Sequence, residues 1–202
     1  MNVGTMPVGQ LIALSLQKPA EAARHVIDLR TPREVLWTLL VLACALNAML
    51  FWVSSALTQP PPPEFSETGL ALPAFLSSPL LVFVFSAGGM VLMIHLLHWV
   101  GTVMGGTGSL GDMLSAFVWM QALRLVAQAG AVILLIVSPP VASLYGLVVA
   151  VVSLWITVNF INQGANLGSN LKTIGLLLIV MFGFIFGLSL FLAVTGLATM
   201  GL

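Results

Sequence analysis

Five long apolar runs organise this chain, and short polar breaks separate them. The runs extend from Val35 to Leu57, Pro79 to Met104, Met113 to Val137, Pro140 to Asn162 and Leu171 to Leu197. Each reaches the length of about 20 mostly apolar residues that a helix needs to cross a bilayer. None shows the alternating, roughly ten-residue pattern of a barrel strand. The expected fold is an all-α bundle of five transmembrane helices (residues 35–202), preceded by a short amphipathic N-terminal segment (residues 1–34).

The breaks carry helix-start chemistry. Thr31-Pro32-Arg33-Glu34 reads as an N-cap, an early proline and a capping-box glutamate. Ser78-Pro79 offers a cap followed by proline, and Ser109-Leu110-Gly111-Asp112 a second capping box. Ser138-Pro139-Pro140 is a tight turn that restarts a helix, and Asn170 can cap the last one. A cleaved leader is not expected, because the first 17 residues lack a cationic stretch and the run from Val35 is too long for a signal core.

Ahead of the first span, Pro19 to Arg30 has helical periodicity. Ala22, Ala23, Val26, Ile27 and Arg30 share one face, and Glu21, Arg24, His25 and Asp28 the other. Leu11, Ile12, Leu14 and Leu16 precede it. This segment is expected to lie on the inner membrane surface. The alternatives are a helix packed under the bundle and a helix that docks a partner.

Composition agrees with the pattern. Hydrophobic residues make up 59% of the 202 and charged residues 6%, against about 25% charged in a soluble domain. Mean hydropathy is +1.13. Six basic residues balance six acidic ones, so no basic patch is available for nucleic acid. The lone cysteine, Cys44, lies within an apolar run.

Charge placement predicts orientation. Lys18, Arg24, Arg30 and Arg33 precede span one, and Lys172 lies between spans four and five. The loop after span one has Glu64 and Glu67 but no Lys or Arg. The positive-inside rule puts the N-terminus in the cytoplasm and, with five spans, the C-terminus outside. Pro60–Pro63 then lies in an outer loop, as a stiff spacer or simply a non-helical stretch. Trp37, Trp52 and Trp99 sit near span ends, as interfacial anchors do.

Candidate chemistry lies in the polar residues within the spans, which are costly in hydrocarbon. Arg124 is about eleven residues, or roughly 16 Å, into span three. Gln121, Arg124 and Gln128 make one stripe on that helix. Counted from the cytoplasmic side, Asn47, His95 and Ser153 reach depths within about 5 Å of Arg124. A mid-membrane polar layer of Asn47, His95, Gln121, Arg124, Gln128 and Ser153 is therefore expected, extended toward the cytoplasm by His98 and Asn159. It would serve as interhelical hydrogen-bonding glue or as a site for an anion or lipid headgroup. No Asp or Glu lies mid-span, which argues against a carboxylate proton relay.

Gly183-Phe-Ile-Phe-Gly187 is a GxxxG pattern in span five, expected first in internal packing and second in dimerisation. Ala127, Gly130 and Ala131 permit close approach in span three. Gly105-Gly106-Thr107-Gly108-Ser109 lacks the lysine of a phosphate loop and reads as a tight turn between two membrane helices. No catalytic triad, paired carboxylates or metal cluster is apparent, and His95 with His98 is a weak metal pair. Neither an enzyme activity nor a cofactor is expected.

The order of features has a family likeness. Leu29-Arg30-Thr31-Pro32-Arg33 leads into span one, and a proline-rich loop follows. Then come Gly105-Gly106-Thr107-Gly108-Ser109, a third span with Trp119, Gln121 and Leu123, the Pro139-Pro140 turn, and Trp155 in span four. Over residues 30 to 200 this resembles bacterial members of the Yip1 membrane-protein family. The resemblance implies a five-span bundle with a cytoplasmic N-terminus in a bacterial inner membrane. Eukaryotic relatives are linked to vesicle traffic and to small GTPases of the Rab type. Their long acidic N-terminal region is missing here, and Tyr145-Gly146 is an isolated Tyr-Gly pair, so Rab binding does not carry over. The expected role is a non-enzymatic scaffold or accessory partner of other membrane proteins or of the bilayer itself, in contact with lipid and with other integral proteins or a second copy. A small channel, transporter or lipid-handling protein with Arg124 on its path is the alternative.

Overall fold

A computed structural model describes residues 6–57 and 78–195. The Pro60–Pro63 run, Glu64, Glu67 and the end of span five near Leu197 lie outside the described residues. Within them the chain forms seven helices: α1 (Val8–Gln17), α2 (Pro19–Asp28), α3 (Arg33–Leu57), α4 (Pro79–Val103), α5 (Leu110–Val137), α6 (Pro139–Ala165) and α7 (Asn170–Thr195). The last five are each long and apolar enough to cross a membrane.

Local chemistry explains most of the boundaries. Ser109 and Asp112 close a reciprocal capping box: the Asp112 N–H donates to Ser109 Oγ at 3.1 Å and the Ser109 N–H to Asp112 Oδ2 at 2.8 Å. This starts α5 at Leu110 rather than at Met113, the first residue of the expected span. Ser138, in extended backbone, ends α5 and starts α6 ahead of its two prolines. Asn166 ends α6 in the left-handed conformation, at φ +49°, which asparagine tolerates better than most residues. Asn170 departs from expectation. Its Oδ1 accepts from Asn162 Nδ2 at 2.7 Å, so the side chain ties α7 to α6.

The amphipathic segment is two helices, joined at Lys18 and Pro19. The face of α2 that could lie on a membrane is taken up by protein. Ala22, Ala23 and Val26 are buried with Leu11 of α1, Ala116 of α5, and Ile156 and Phe160 of α6. The packed-under-the-bundle alternative is the arrangement seen. Small alanines on α2 make the close approach possible, and the bundle offers Phe160 as a flat apolar partner. Arg30, with φ +45°, turns the chain out of α2 toward α3.

α5 is the central helix, packed along α3 and along α6, while α7 lies at the edge against α4 and α6. The buried core occupies only one half of the bundle. Its members are Leu36 to Ala48 on α3, Ile94 to Gly101 on α4, Met113 to Gln121 on α5, Ile156 to Ala165 on α6 and Thr173 to Val180 on α7. Helix direction alternates, so these stretches share one level, next to α2. In the other half no described residue of the five spans is buried. Its apolar side chains, such as Phe85, Ile133, Leu144 and Phe186, are exposed, as suits a lipid solvent.

Candidate functional site

The members of the expected polar layer make no hydrogen bond to one another among the described residues. Asn47 Nδ2 donates to the Ala43 carbonyl of its own helix at 2.8 Å, and Asn47 Oδ1 is buried without a partner. His95 is exposed, 2.7 Å from the Val91 carbonyl through Nδ1, and its ring stacks on Trp37 with centroids 6.2 Å apart. Gln121 is buried, Gln128 half-buried and Ser153 exposed. Arg124 is exposed and has no hydrogen-bond or ion-pair partner among the described residues, although its charge reaches Cys44 on α3. By helical rise these residues spread from about 12 Å (His95) to about 27 Å (Gln128) from the inner helix ends. Counting along the chain carried no information about azimuth: Gln121 is buried, whereas His95 and Ser153 are exposed. Of the two residues expected to extend the layer, His98 is half-buried, and Asn159 is buried and donates to the Trp155 carbonyl at 2.9 Å.

The stripe of Gln121, Arg124 and Gln128 has a definite place. Leu114, Phe117 and Gln121 form the core-facing stripe of α5. Arg124 and Gln128 continue the same stripe by helical spacing. They stand just past the point where the buried core stops. The core-facing stripe of α4 runs through Leu97, Ile94, Met90, Ala87 and Phe83 and stays apolar over the same levels.

A second site lies at the sealed end. A polar pocket of about 290 Å³ is lined by Arg24 and Asp28 of α2, Thr107 and Asp112, and Gln163 and Asn166. Arg24 Nε donates to Gln163 Oε1 at 2.9 Å, and Asn166 Nδ2 to Thr107 Oγ1 at 2.6 Å. The glycine-rich loop makes this possible. The Gly108 N–H donates to the Ala165 carbonyl at 3.1 Å, satisfying a helix-end acceptor of α6. A Cβ on Gly106 would stand 2.5 Å from that carbonyl oxygen, and one on Gly108 would strike the Gly164 carbonyl. The sequence had singled out Arg24 with Asp28, the glycine loop and the 159–170 turn separately. Their convergence was not legible, because each alone is an ordinary surface feature.

A third feature is apolar. Gly183 and Gly187 of α7, with Leu92, Leu96 and Trp99 of α4 and Ile179, line a groove of about 440 Å³. Among the described residues nothing lies within 4 Å of a Cβ built on either glycine. Internal packing was the first expectation for this GxxxG face, and no described residue packs closely on it. In α5 the small-residue patch is used internally: Tyr145 of α6 packs over Gly130 and donates to the Ala127 carbonyl at 3.1 Å.

The family model described as the Yip1 domain matches residues 13–191, nearly the whole described chain. No curated protein and no solved structure matches.

Proposed function

The chain belongs to the Yip1 family, and from that premise we propose that this multi-pass membrane protein is a non-enzymatic scaffold or accessory partner of other integral membrane proteins. The observation that carries this reading is the vacant glycine face of α7. GxxxG brings helix backbones together by removing side chains between them. In α7 the surface is apolar and unoccupied by the described helices. It suits a transmembrane helix of a partner. The polar pocket at the α2 end offers a second contact outside the membrane core, and the Lys and Arg residues around α2 support a cytoplasmic N-terminus in a bacterial inner membrane.

The test is extraction of the tagged chain into native nanodiscs, with mass spectrometry of what stays bound. The expected result is a stoichiometric integral membrane protein that is lost, at least tenfold, from Gly183→Leu/Gly187→Leu chains that remain folded. A chain that purifies alone, or a partner retained equally by the variant, overturns the reading.

A second reading, lipid handling or permeation, is favoured by unpaired Arg124. Of these two, lipid handling fits better. Burial of the apolar residues Leu36, Leu97, Leu114, Phe117 and Leu176 supports lipid handling over a continuous aqueous path. A permeation route must connect water on both sides.

A further inference from the structure

Arg124 stands about 21 Å along α5 from Leu110 and about 20 Å from Val137, so it is mid-span. An exposed guanidinium at that depth needs an anion or water. The described residues supply no anion at this level. Glu21, Asp28, Glu34 and Asp112 all lie at or beyond the ends of the described spans. The described part of a second copy brings no carboxylate to this level either.

The surroundings narrow the occupant. Beyond the sealed core, one wall carries Arg124 and Gln128 of α5 with Asn47 of α3 nearby. The core-facing stripe of α4 is apolar through Phe83, Ala87 and Met90, which are partly buried. Beyond Gln121 no described residue of α5 is buried. A ligand that fits has an anionic head with several acceptor oxygens and an apolar tail. Lipid is also the solvent that meets any exposed surface inside a bilayer. From this juxtaposition we infer that the open half of the bundle binds one anionic phospholipid, its phosphate on Arg124 and Gln128 and an acyl chain along α4. This site is separate from the α7 groove and goes beyond the scaffold reading.

Native mass spectrometry of the full chain in mild detergent tests it, with phosphatidylglycerol as the probe and diacylglycerol of the same chains as the neutral control. The expected result is one phosphatidylglycerol held at least tenfold more tightly than diacylglycerol. Arg124→Gln removes that preference for the first lipid bound, Arg124→Lys keeps most of it, and Gly183→Leu leaves it unchanged. An unaltered preference in Arg124→Gln, or diacylglycerol bound as tightly as phosphatidylglycerol, overturns the inference. Should Arg124→Gln not fold, a photo-crosslinking amino acid at Gln128 in nanodiscs reads the occupant directly. An adduct of lipid mass supports the site. A protein adduct, or no adduct, overturns it.

Discussion

The indole N–H of Trp119 donates to the hydroxyl of Ser15 at 2.9 Å, across 104 residues of sequence. Ser15 is fully buried and passes its own hydrogen on to the Leu11 carbonyl at 2.8 Å. Trp119 is nine residues into α5, about 14 Å from its start. The bond thus fixes α1 against the flank of the bundle. Ser15→Ala leaves the indole N–H without its partner, at a cost of about 1–3 kcal/mol. The expected result is faster amide exchange through residues 8–17 with little change in α4 or α7. Exchange unaltered in α1 would show that apolar contacts alone hold it.

The glycine loop gives a sharper contrast. A methyl at Gly108 meets the backbone of Gly164 and Ala165, which cannot rotate away. Overpacking of this kind costs about 1–3 kcal/mol, and more when backbone is struck. Gly108→Ala should lower the thermal aggregation temperature in detergent clearly, whereas Gly9→Ala, with open space around it, should not.

At the end of α6, Asn166 combines a left-handed backbone with a hydrogen bond to Thr107. Asn166→Gly keeps the backbone and loses the bond. Asn166→Val loses both and adds the penalty of a β-branched residue at positive φ. The valine variant should therefore be the less stable, by about 1 kcal/mol or more. Equal melting of the two variants would mean that the turn is set elsewhere.

Arg24 ties α2 to Gln163 from the exposed side of its helix. Truncation to alanine removes one hydrogen bond of an exposed charged group, a small loss for the fold as a whole. Its expected signature is local: faster proteolysis between α2 and α3 in reconstituted vesicles, with the five spans still protected. Protection equal to wild type would place the hold on α2 in Ala22, Ala23 and Val26 instead.

The spans were legible because length, apolar content and cap residues all act locally. Ser109 with Asp112 and Ser138 with Pro139 mark their boundaries through contacts within four residues. The confinement of the core to one half was not legible. α4, α6 and α7 are apolar on every side, so periodicity does not say which face meets protein and which meets lipid. The same uniformity hid the role of Gly183 and Gly187, since a glycine pair reads identically whether a neighbour fills the gap or leaves it vacant. For Arg124 the sequence supplied residue type and position along the helix, while its exposure and the absence of a partner among the described residues depend on tertiary packing.

The contacts of the N-terminal helices also set an order of events in biosynthesis. Ser15 and Arg24 leave the ribosome 104 and 139 residues ahead of Trp119 and Gln163, the side chains they bond. At about 5–20 residues per second that is a wait of roughly five to thirty seconds. During it the apolar face of α2 has no protein to cover it, and the nearby membrane surface is the one shelter that fits its pattern. Only when α6 is complete can α2 leave that shelter and close on the bundle, so its docking waits for α6 but not for α7.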